Sequence, residues 1–364
     1  MKKIQKFIPQ MEPWFGSEEA KAVFDYMKSG GWVTEFKKTR EFENLIANYT
    51  GAKYCSATNN GTVALALALF ACGVGLGDEV VVPSYTMIAS ANAVKLTGAD
   101  VVFADIEPKT LCLDFESLKS AATAKTKAVI LVSINGRYPE SLPKITAFCE
   151  GKKILIIEDA AQSLGSFYNG KHVGTAGNIA IFSFSSQKII STGQGGAVIS
   201  DDEILMRRIA KLRDFGRSSP GEDNYSTMGW NFKFTDIQAV IGIEQMKKLS
   251  WRVKRKKEIY RQYYELLKNV SGISFIDTSA DVSPWFIDII VKDGRKELME
   301  FLKEHKMGTR PFYPALHKSG VYRNSRNYPA SEFVSSHGLW LPSSSKLTET
   351  DIERVSDAIK IFFK

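Results

Sequence analysis

The sequence predicts an α/β protein with a largely parallel sheet covered by helices, followed by a smaller α+β domain. Between residues 55 and 200, short β-rich runs alternate with helical stretches, and the runs are apolar throughout. Continuously apolar strands are covered on both faces, and strands separated by helices form the crossover units of a parallel sheet. After Asp236 the pattern changes to long helices followed by short strands.

Apolar runs mark the strands of the large sheet. They are Asp78–Pro83, Asp100–Asp105, Ala128–Val132, Lys153–Asp159, Ile179–Phe184 and Ala197–Ile199. In the C-terminal part, helices are predicted between residues 237 and 262, and short strands at 273–276 and 285–291. A final helix places Ile352, Val355, Ile359 and Phe362 on one stripe. We therefore predict two domains, residues 1–250 and residues 251–364.

The composition is that of an ordinary globular protein. Of 364 residues, 44% are hydrophobic and 24% charged, which excludes a disordered, collagen-like or coiled-coil chain. The longest apolar run, residues 63–72, is too short to cross a bilayer of about 30 Å as a helix. The basic segment Met1–Lys6 meets a polar stretch, so no signal peptide is predicted.

The cysteines and histidines lack the spacing of a metal site or a disulfide framework. No C-x-x-C pair occurs among Cys55, Cys72, Cys112 and Cys149, and no H-x-x-x-H pair among His172, His305, His317 and His337. We predict no metal site and a cytoplasmic protein with reduced thiols.

Asp159 and Lys188 are the candidate catalytic residues. Asp159 directly follows an apolar strand, and ligands bind at the carboxyl ends of strands in open α/β sheets. Lys188 lies on the segment that leaves the next strand. A lysine amine can form a Schiff base with an aldehyde cofactor, and an acid can keep the cofactor's pyridine nitrogen protonated. The pair therefore points to pyridoxal phosphate, although either residue alone is more often a turn cap or a solvated charge.

A glycine-led helix start lies at Asn59-Asn60-Gly61-Thr62, before an Ala/Leu-rich run. Such an N-terminus can hold a phosphate, but taken by itself it is more often a plain helix cap. Further motifs in order are residues 15–19, 29–32, 60–65, 77–86, 158–163, 183–188, 229–239, 310–317 and 341–342. Together they resemble the DegT/DnrJ/EryC1/StrS family of pyridoxal phosphate-dependent nucleotide-sugar aminotransferases. The resemblance implies fold type I, a mostly parallel mixed sheet sandwiched by helices.

The resemblance implies a role for each matching residue. Lys188 is the Schiff-base lysine and Asp159 the partner of the pyridine nitrogen. The other implied cofactor contacts are Gln162 to the phenolic oxygen, Tyr85 stacked on the ring, and Gly61, Thr62 and Ser183 on the phosphate. Asn231 matches a residue that reaches the phosphate from a partner subunit, so a homodimer with shared active sites is expected. Trp32, Tyr313 and His317 match the sugar side of the pocket.

The implied reaction moves an amino group from L-glutamate, which leaves as 2-oxoglutarate, to a nucleotide-linked keto sugar, with pyridoxamine phosphate as the intermediate cofactor form. The favoured acceptor is C4 of a 4-keto-6-deoxyhexose linked to GDP, dTDP or UDP, for surface polysaccharide or glycoconjugate synthesis. Amination at C3 is the alternative. A sugar dehydratase would replace Lys188, and a non-catalytic regulatory protein would lose the Lys/Asp pair, so both are disfavoured.

Three segments depart from the family pattern. Gln194 stands where Glu is usual, Ser133-Ile134-Asn135-Gly136 replaces His-x-x-Gly, and Lys233 stands where Arg is common. None is expected to touch the cofactor chemistry, whereas the second and third are expected to affect sugar recognition.

The net charge of +8 is concentrated in one segment. Residues 247–262 contain eight basic residues and one acid, which is +7 of the total. No helix-turn-helix, zinc-finger or interleaved aromatic–basic pattern accompanies them, so neither a nucleic-acid nor a membrane partner is predicted. The segment is either a solvated helix face or, through Lys254 and Lys256, an attractor for the diphosphate of a sugar nucleotide.

Overall fold

The computed structural model describes residues 6–219 and 221–364, so residues 1–5 of the basic N-terminal segment lie outside the described residues. The helices are α1 (Ser17–Lys28), α2 (Lys37–Thr50), α3 (Gly61–Ala71), α4 (Ala89–Leu96), α5 (Phe115–Ala121), α6 (Leu142–Lys152), α7 (Glu203–Arg213), α8 (Asp236–Lys247), α9 (Leu249–Leu267), α10 (Arg295–Glu304), α11 (Pro329–His337) and α12 (Glu349–Phe362). The strands are β1 (Tyr54–Thr58), β2 (Glu79–Pro83), β3 (Asp100–Ala104), β4 (Thr126–Val132), β5 (Leu155–Asp159), β6 (Phe167–Tyr168), β7 (Lys171–His172), β8 (Ile179–Ser183), β9 (Gly196–Ser200), β10 (Ile273–Phe275), β11 (Ile287–Val291), β12 (Arg310–Pro311) and β13 (Gly338–Leu341).

The large sheet of the described residues has seven strands in the order β1-β9-β8-β5-β4-β2-β3. The strands from β8 to β3 run parallel, whereas β9 is antiparallel to both of its neighbours. The predicted α/β class with a mostly parallel mixed sheet is confirmed. Each apolar run that predicted a strand forms one, with bounds that differ by up to two residues.

Helices cover both faces of this sheet, which explains the unbroken apolar runs. Successive side chains of a strand point to opposite faces. On β2, Val80 and Val82 pack into the core that contains α3, while Val81 packs into the opposite core with Phe42 of α2 and Ile145 of α6. A strand buried in this way needs an apolar residue at every position, not at every second one.

The edge strand β1 was not predicted, because it has no apolar run. Its residues Cys55, Ser56 and Ala57 are small, and the strand pairs antiparallel with β9. Strand direction also could not be predicted, since an apolar run looks the same in either orientation.

The C-terminal part forms a four-stranded antiparallel sheet in the order β10-β11-β13-β12, called the small sheet below. This sheet and the helices packed on it are called the small domain. Its core contains Ile259 of α9, Leu298 of α10 and Ile352 of α12. Ile8 packs into the same core and forms an isolated parallel bridge with Met307, so the segment around Ile8 is attached to the C-terminal part. The predicted domain boundary at residues 250–251 falls at the start of α9 and stays a prediction.

The cysteines form no disulfide: Cys72, Cys112 and Cys149 are buried, and Cys55 is half-buried. Burial raises the pKa of the Cys72 thiol to about 12, so that this thiol stays protonated and unreactive at neutral pH. Among the described residues, no helix is both long and apolar enough to cross a membrane.

Part of the basic segment faces inward. Lys248, Arg252 and Lys256 are four residues apart and therefore share one face of the helical segment. The Lys248 ammonium pairs with Glu19 at 2.7 Å, and Arg252 donates to the main-chain oxygen of Ile189 at 2.8 Å. The prediction of a solvated helix face is wrong for these three residues.

Lys256 is only 1% exposed, which contradicts the predicted role of this residue in attracting a diphosphate. Its Nζ donates to the main-chain oxygens of Trp285, at 2.8 Å, and Ser343. Both acceptors belong to segments that lead into or out of the small sheet. Burial, together with the neighbouring charge of Arg252, lowers the pKa of Lys256 to about 7.

We expect the stability of the protein to depend on pH through Lys256. The pKa of this amine is about 7 in the folded chain, against about 10.4 for an ordinary lysine in the unfolded chain. Between these values the unfolded chain holds more protons, so the free energy of unfolding rises with pH, by at most about 1.4 kcal/mol per pH unit. Below pH 7 both states are protonated and the penalty of the buried charge is complete.

Denaturant unfolding from pH 6 to 10 tests this expectation. The difference in unfolding free energy between the natural protein and Lys256→Met should change with pH in favour of the natural protein. Lys254→Met is the matched control, because it removes an equal charge from an exposed position. Parallel pH curves for the natural protein and Lys256→Met would contradict the lowered pKa.

Candidate active site

A cavity of about 680 Å³ lies at the carboxyl ends of the central strands, closed on one side by the small domain. The large sheet and its connections contribute Asp159, Ser183 and Lys188. Residues from the small domain also line it, namely Trp285, Arg310 and Tyr313. The two catalytic residues predicted from the sequence therefore meet in one cavity.

Asp159 is the last residue of β5 and is 8% exposed. The Ser90 hydroxyl donates to its Oδ2 at 2.7 Å, and the Ala161 N–H donates to its Oδ1 at 3.2 Å. Burial raises the pKa of this carboxyl, while the two hydrogen bonds and the Lys188 charge act in the opposite direction. The carboxylate is therefore held in one position, and a cationic N–H in the cavity would stabilise its ionised form further.

Lys188 lies on the segment between β8 and β9, with Nζ 4.0 Å from the ring centroid of Trp285. Burial lowers its pKa to about 8; the charge of Asp159 opposes this shift and that of Arg310 adds to it. A lysine with this pKa is partly deprotonated at neutral pH, and the free amine is the nucleophilic form.

The start of α3 fits a phosphate group. The first N–H groups of a helix have no intrahelical partner. Asn60 caps this helix by accepting from the Val63 N–H at 2.9 Å, which leaves the N–H groups of Gly61 and Thr62 for a ligand. A Cβ at Gly61 would lie 2.9 Å from the Cβ of Ser183, so only glycine fits beside this serine. These two N–H groups and the hydroxyls of Thr62 and Ser183 are thus available to an anion at the helix N-terminus.

Gln162 presents a hydrogen-bond donor to the cavity that it lines. Its Oε1 accepts from the Asn135 N–H at 2.7 Å. Because a main-chain N–H can only donate, the amide oxygen must face Asn135, and the amide NH₂ is left for an acceptor such as a phenolic oxygen. Through Asn135, the segment 133–136 therefore contacts Gln162, a residue predicted to bind the cofactor.

The donor set thus fits pyridoxal phosphate: an amine, a carboxylate, an amide NH₂ and a phosphate cradle. Tyr85, the residue predicted to stack on the ring, has a different position. It is 1% exposed, packs against Phe312 with ring centroids 5.7 Å apart, and does not line the cavity of the described residues. Met87, two residues later, lines the cavity instead. The Tyr85 ring fills the space between the large sheet and the aromatic residues of the small domain.

Of the predicted sugar-side residues, only Tyr313 lines the cavity that the described residues form. His317 is fully buried and does not line this cavity; it bonds Ser84 Oγ at 2.6 Å through Nδ1 and Glu332 at 3.0 Å through Nε2. Trp32 is 67% exposed and lies outside this cavity. Asn231, the predicted contact from a partner subunit, is also exposed and outside the cavity of its own chain.

The other two departures from the family pattern lie in different places. Gln194 lines the cavity, and its main-chain oxygen accepts from Gln238 at 2.7 Å. Lys233 pairs with Asp214 at 2.6 Å and does not line the cavity formed by the described residues.

Sequence reasoning missed Ser90, Trp285 and Arg310 as residues of the site. Trp285 donates from Nε1 to the Gln187 main-chain oxygen at 2.8 Å, which fixes its ring beside Lys188. Arg310 has no carboxylate within 4.0 Å among the described residues, and Gln187 Oε1 lies 3.4 Å from its Nη1. The motif that contains Tyr313 begins with Arg310, which was a usable signal; Ser90 carries none.

Comparisons with known proteins agree with this geometry. The model of the DegT/DnrJ/EryC1/StrS aminotransferase family matches residues 14–360. The chain is 32% identical over 364 residues to the GDP-perosamine synthase of Escherichia coli O157:H7, covering 98% of this chain and 99% of that protein.

Two solved structures are similar over almost the whole chain. The aminotransferase TlmJ from Streptoalloteichus hindustanus has a TM-score of 0.92 at 29% identity, covering 97% of this chain and 98% of that one. Spr1654 from Streptococcus pneumoniae, in its PLP-form, has a TM-score of 0.92 at 26% identity, covering 98% of each chain. The chain therefore belongs to the DegT/DnrJ/EryC1/StrS aminotransferase family, and it is a sugar aminotransferase that uses pyridoxal 5′-phosphate.

Proposed function

We propose that this enzyme transfers the amino group of L-glutamate to C4 of a 4-keto-6-deoxyhexose linked to a nucleoside diphosphate. The observation that carries the proposal is that the amine of Lys188, the carboxylate of Asp159 and the guanidinium of Arg310 line one cavity. The similarity to a protein named GDP-perosamine synthase supports a GDP-linked acceptor ahead of a dTDP- or UDP-linked one. Amination at C3 is the second candidate, and the product would enter surface polysaccharide or glycoconjugate synthesis.

The cavity supplies the groups for acid–base chemistry. When bound, pyridoxal phosphate supplies an aldehyde that takes up the amino group and a ring that spreads the charge left at the deprotonated carbon. Asp159 keeps a proton on the pyridine nitrogen. The Lys188 amine would take the proton from the α-carbon of the donor and return it to the cofactor, at the carbon that carries the aldehyde. With the keto sugar, Lys188 makes the same two proton transfers in the reverse order, and Asp159 again keeps the pyridine nitrogen protonated.

The remaining residues hold the reactants in place. We propose that Gly61, Thr62 and Ser183 bind the phosphate of the cofactor and that Gln162 donates to its phenolic oxygen. Arg310 binds a carboxylate of the donor, because it is the cation on the small-domain side of the cavity and has no acidic partner among the described residues.

We propose a cytoplasmic homodimer with shared active sites. Several large apolar side chains near the N-terminus are exposed, among them Phe24, Met27, Trp32 and Phe36, and Met228 is exposed near Asn231. Glu35 pairs with Arg213 at 2.8 Å, next to Asp214, which forms a bridge with Asn231. The two segments are thus adjacent, and a second copy of the chain would cover both and bring Asn231 and Trp32 to the partner's cavity.

A panel of keto sugars tests the proposed reaction. The enzyme, with L-glutamate, should convert a GDP-, dTDP- or UDP-linked 4-keto-6-deoxyhexose into a product in which NMR places the new amine at C4. Lys188→Ala should give no product, because it lacks the proton-transferring amine. An amine at C3 would favour the second candidate. A deoxygenated sugar without nitrogen would contradict transamination.

The pH dependence of Lys188 is a second expectation. Since its pKa is about 8, the reactivity of the amine in cofactor-free protein should rise with pH, have its midpoint near 8 and level off above it. Trace acetylation from pH 6 to 10, quantified at Lys188 by mass spectrometry, measures this midpoint. Asp159→Asn should lower it further, because the carboxylate stabilises the ammonium form. A midpoint at 10 or above would contradict the lowered pKa.

A third expectation concerns Arg310. Arg310→Gln should reduce kcat/KM for L-glutamate by about 10- to 100-fold, which is the cost of losing a hydrogen bond to a charged group. Single-turnover spectra of the cofactor separate the glutamate half-reaction from the sugar half-reaction. The loss should be larger with glutamate. Equal losses in both half-reactions would contradict a carboxylate-binding role.

A further inference from the structure

Asn135 joins the cavity to the small domain. It lies in the short turn Ile134–Gly136 after β4, is 2% exposed and has a φ of +53°. This left-handed conformation is unfavourable for most residues, but asparagine tolerates it better than others. Its neighbour Gly136 has a positive φ as well, and a Cβ there would lie 2.8 Å from the main-chain oxygen of Ser283, so the turn fits closely against the segment that leads into β11.

The main chain of Asn135 acts on Gln162. Its N–H donates to Gln162 Oε1, as described above, and this bond alone decides which end of the amide faces the cavity. A displaced turn would release the amide to rotate. The NH₂ group would then no longer be directed at an acceptor in the cavity.

The side chain of Asn135 acts on the small domain. Its Oδ1 accepts from the Phe286 N–H at 2.6 Å, and its Nδ2 donates to the Phe286 main-chain oxygen at 2.8 Å and to Asp288 Oδ2 at 2.9 Å. Both protons of the amide and its oxygen are therefore used at the start of β11. The conformation of the turn depends on the position of this strand.

An ion pair with Arg137 fixes the position of Asp288, the last of these acceptors. Both carboxylate oxygens of Asp288 accept from Arg137 Nη2 at 2.7 Å, and both side chains are buried. Arg137 is also bonded to Thr278 Oγ1 at 3.0 Å. A buried pair of this kind holds its carboxylate in one place, because moving either charge leaves the other unpaired.

We propose that Asn135 is a positioning residue that couples the docking of β11 to the orientation of Gln162, and thereby sets the hydrogen bond to the phenolic oxygen of the cofactor. The proposal rests on the cofactor contact proposed above for Gln162. It gives the segment 133–136, where this chain departs from the family pattern, a role in tuning the cofactor.

Asn135→Gly is the variant that isolates the coupling, because glycine tolerates the positive φ but removes the side-chain bonds to β11. The readout is the pH titration of the visible absorption band of the bound cofactor, which needs no sugar substrate. Without this hydrogen-bond donor, the phenolic oxygen of the cofactor carries more negative charge. It therefore holds the proton on the neighbouring Schiff-base nitrogen more strongly. The apparent pKa of the band should therefore rise by about half a unit or more, a roughly threefold change in proton affinity.

Two further variants give the comparison. Gln162→Ala should raise the same pKa, and the double variant should not exceed Gln162→Ala alone, since both changes remove one hydrogen bond. Thr278→Val is the matched control: it removes a contact of Arg137 but none of Asn135, and the band should titrate as in the natural enzyme.

The outcomes separate the coupling from the cofactor contact itself. A Gln162→Ala protein that titrates like the natural enzyme would overturn the contact. A shift in Gln162→Ala with none in Asn135→Gly, even with a lowered Tm, would overturn the coupling alone. If the glycine variant does not fold, Asn135→Asp takes its place. This change keeps the acceptor for Phe286 but repels Asp288, and an unshifted band would overturn the coupling as well.

Discussion

The buried carboxylate of Asp159 is the constraint on which the active site depends. A carboxylate at the end of a covered strand is costly, so the surrounding residues must supply hydrogen bonds and positive charge. Ser90 and the Ala161 N–H supply the hydrogen bonds, and Lys188 supplies charge. A pyridinium bound as proposed would supply a further positive charge, and the same desolvation that destabilises the free carboxylate would strengthen its attraction for the cofactor.

The small domain completes the site and is held by buried polar contacts. Trp285, which lies against Lys188, is fixed on its indole side by the Gln187 main-chain oxygen and on its main-chain side by the Lys256 ammonium. One residue further along the chain, the main chain of Phe286 is bonded to Asn135. Such contacts need an accurate geometry, so they fix one docking position, whereas apolar packing alone tolerates small displacements.

How much the sequence could predict follows from what each pattern encodes. Asp159 and Lys188 could be predicted because both follow apolar strands, and parallel strands gather their carboxyl ends at one edge. Trp285 could not, because it lies far along the chain and reaches the cavity only through the packing of the small domain. Arg310 reaches the cavity in the same way, but it opens the motif that contains Tyr313, and that signal was not used. The burial of Lys256 was encoded in its helical spacing from the apolar residues Ile259 and Tyr263, but a count of charges along the segment hides such spacing.

The charges around Lys188 also explain how one cavity can serve two different substrates. Asp159 raises the pKa of this amine and Arg310 lowers it; burial, the largest effect, also lowers it, which leaves the pKa at about 8. An incoming carboxylate that pairs with Arg310 would cancel the part of the lowering that this charge causes, and would so make Lys188 a stronger base when the α-proton is to be removed. A neutral keto group would not pair with Arg310, so the pKa of Lys188 would stay low. The protonated amine would then release its proton more readily, which suits proton delivery in the reverse direction.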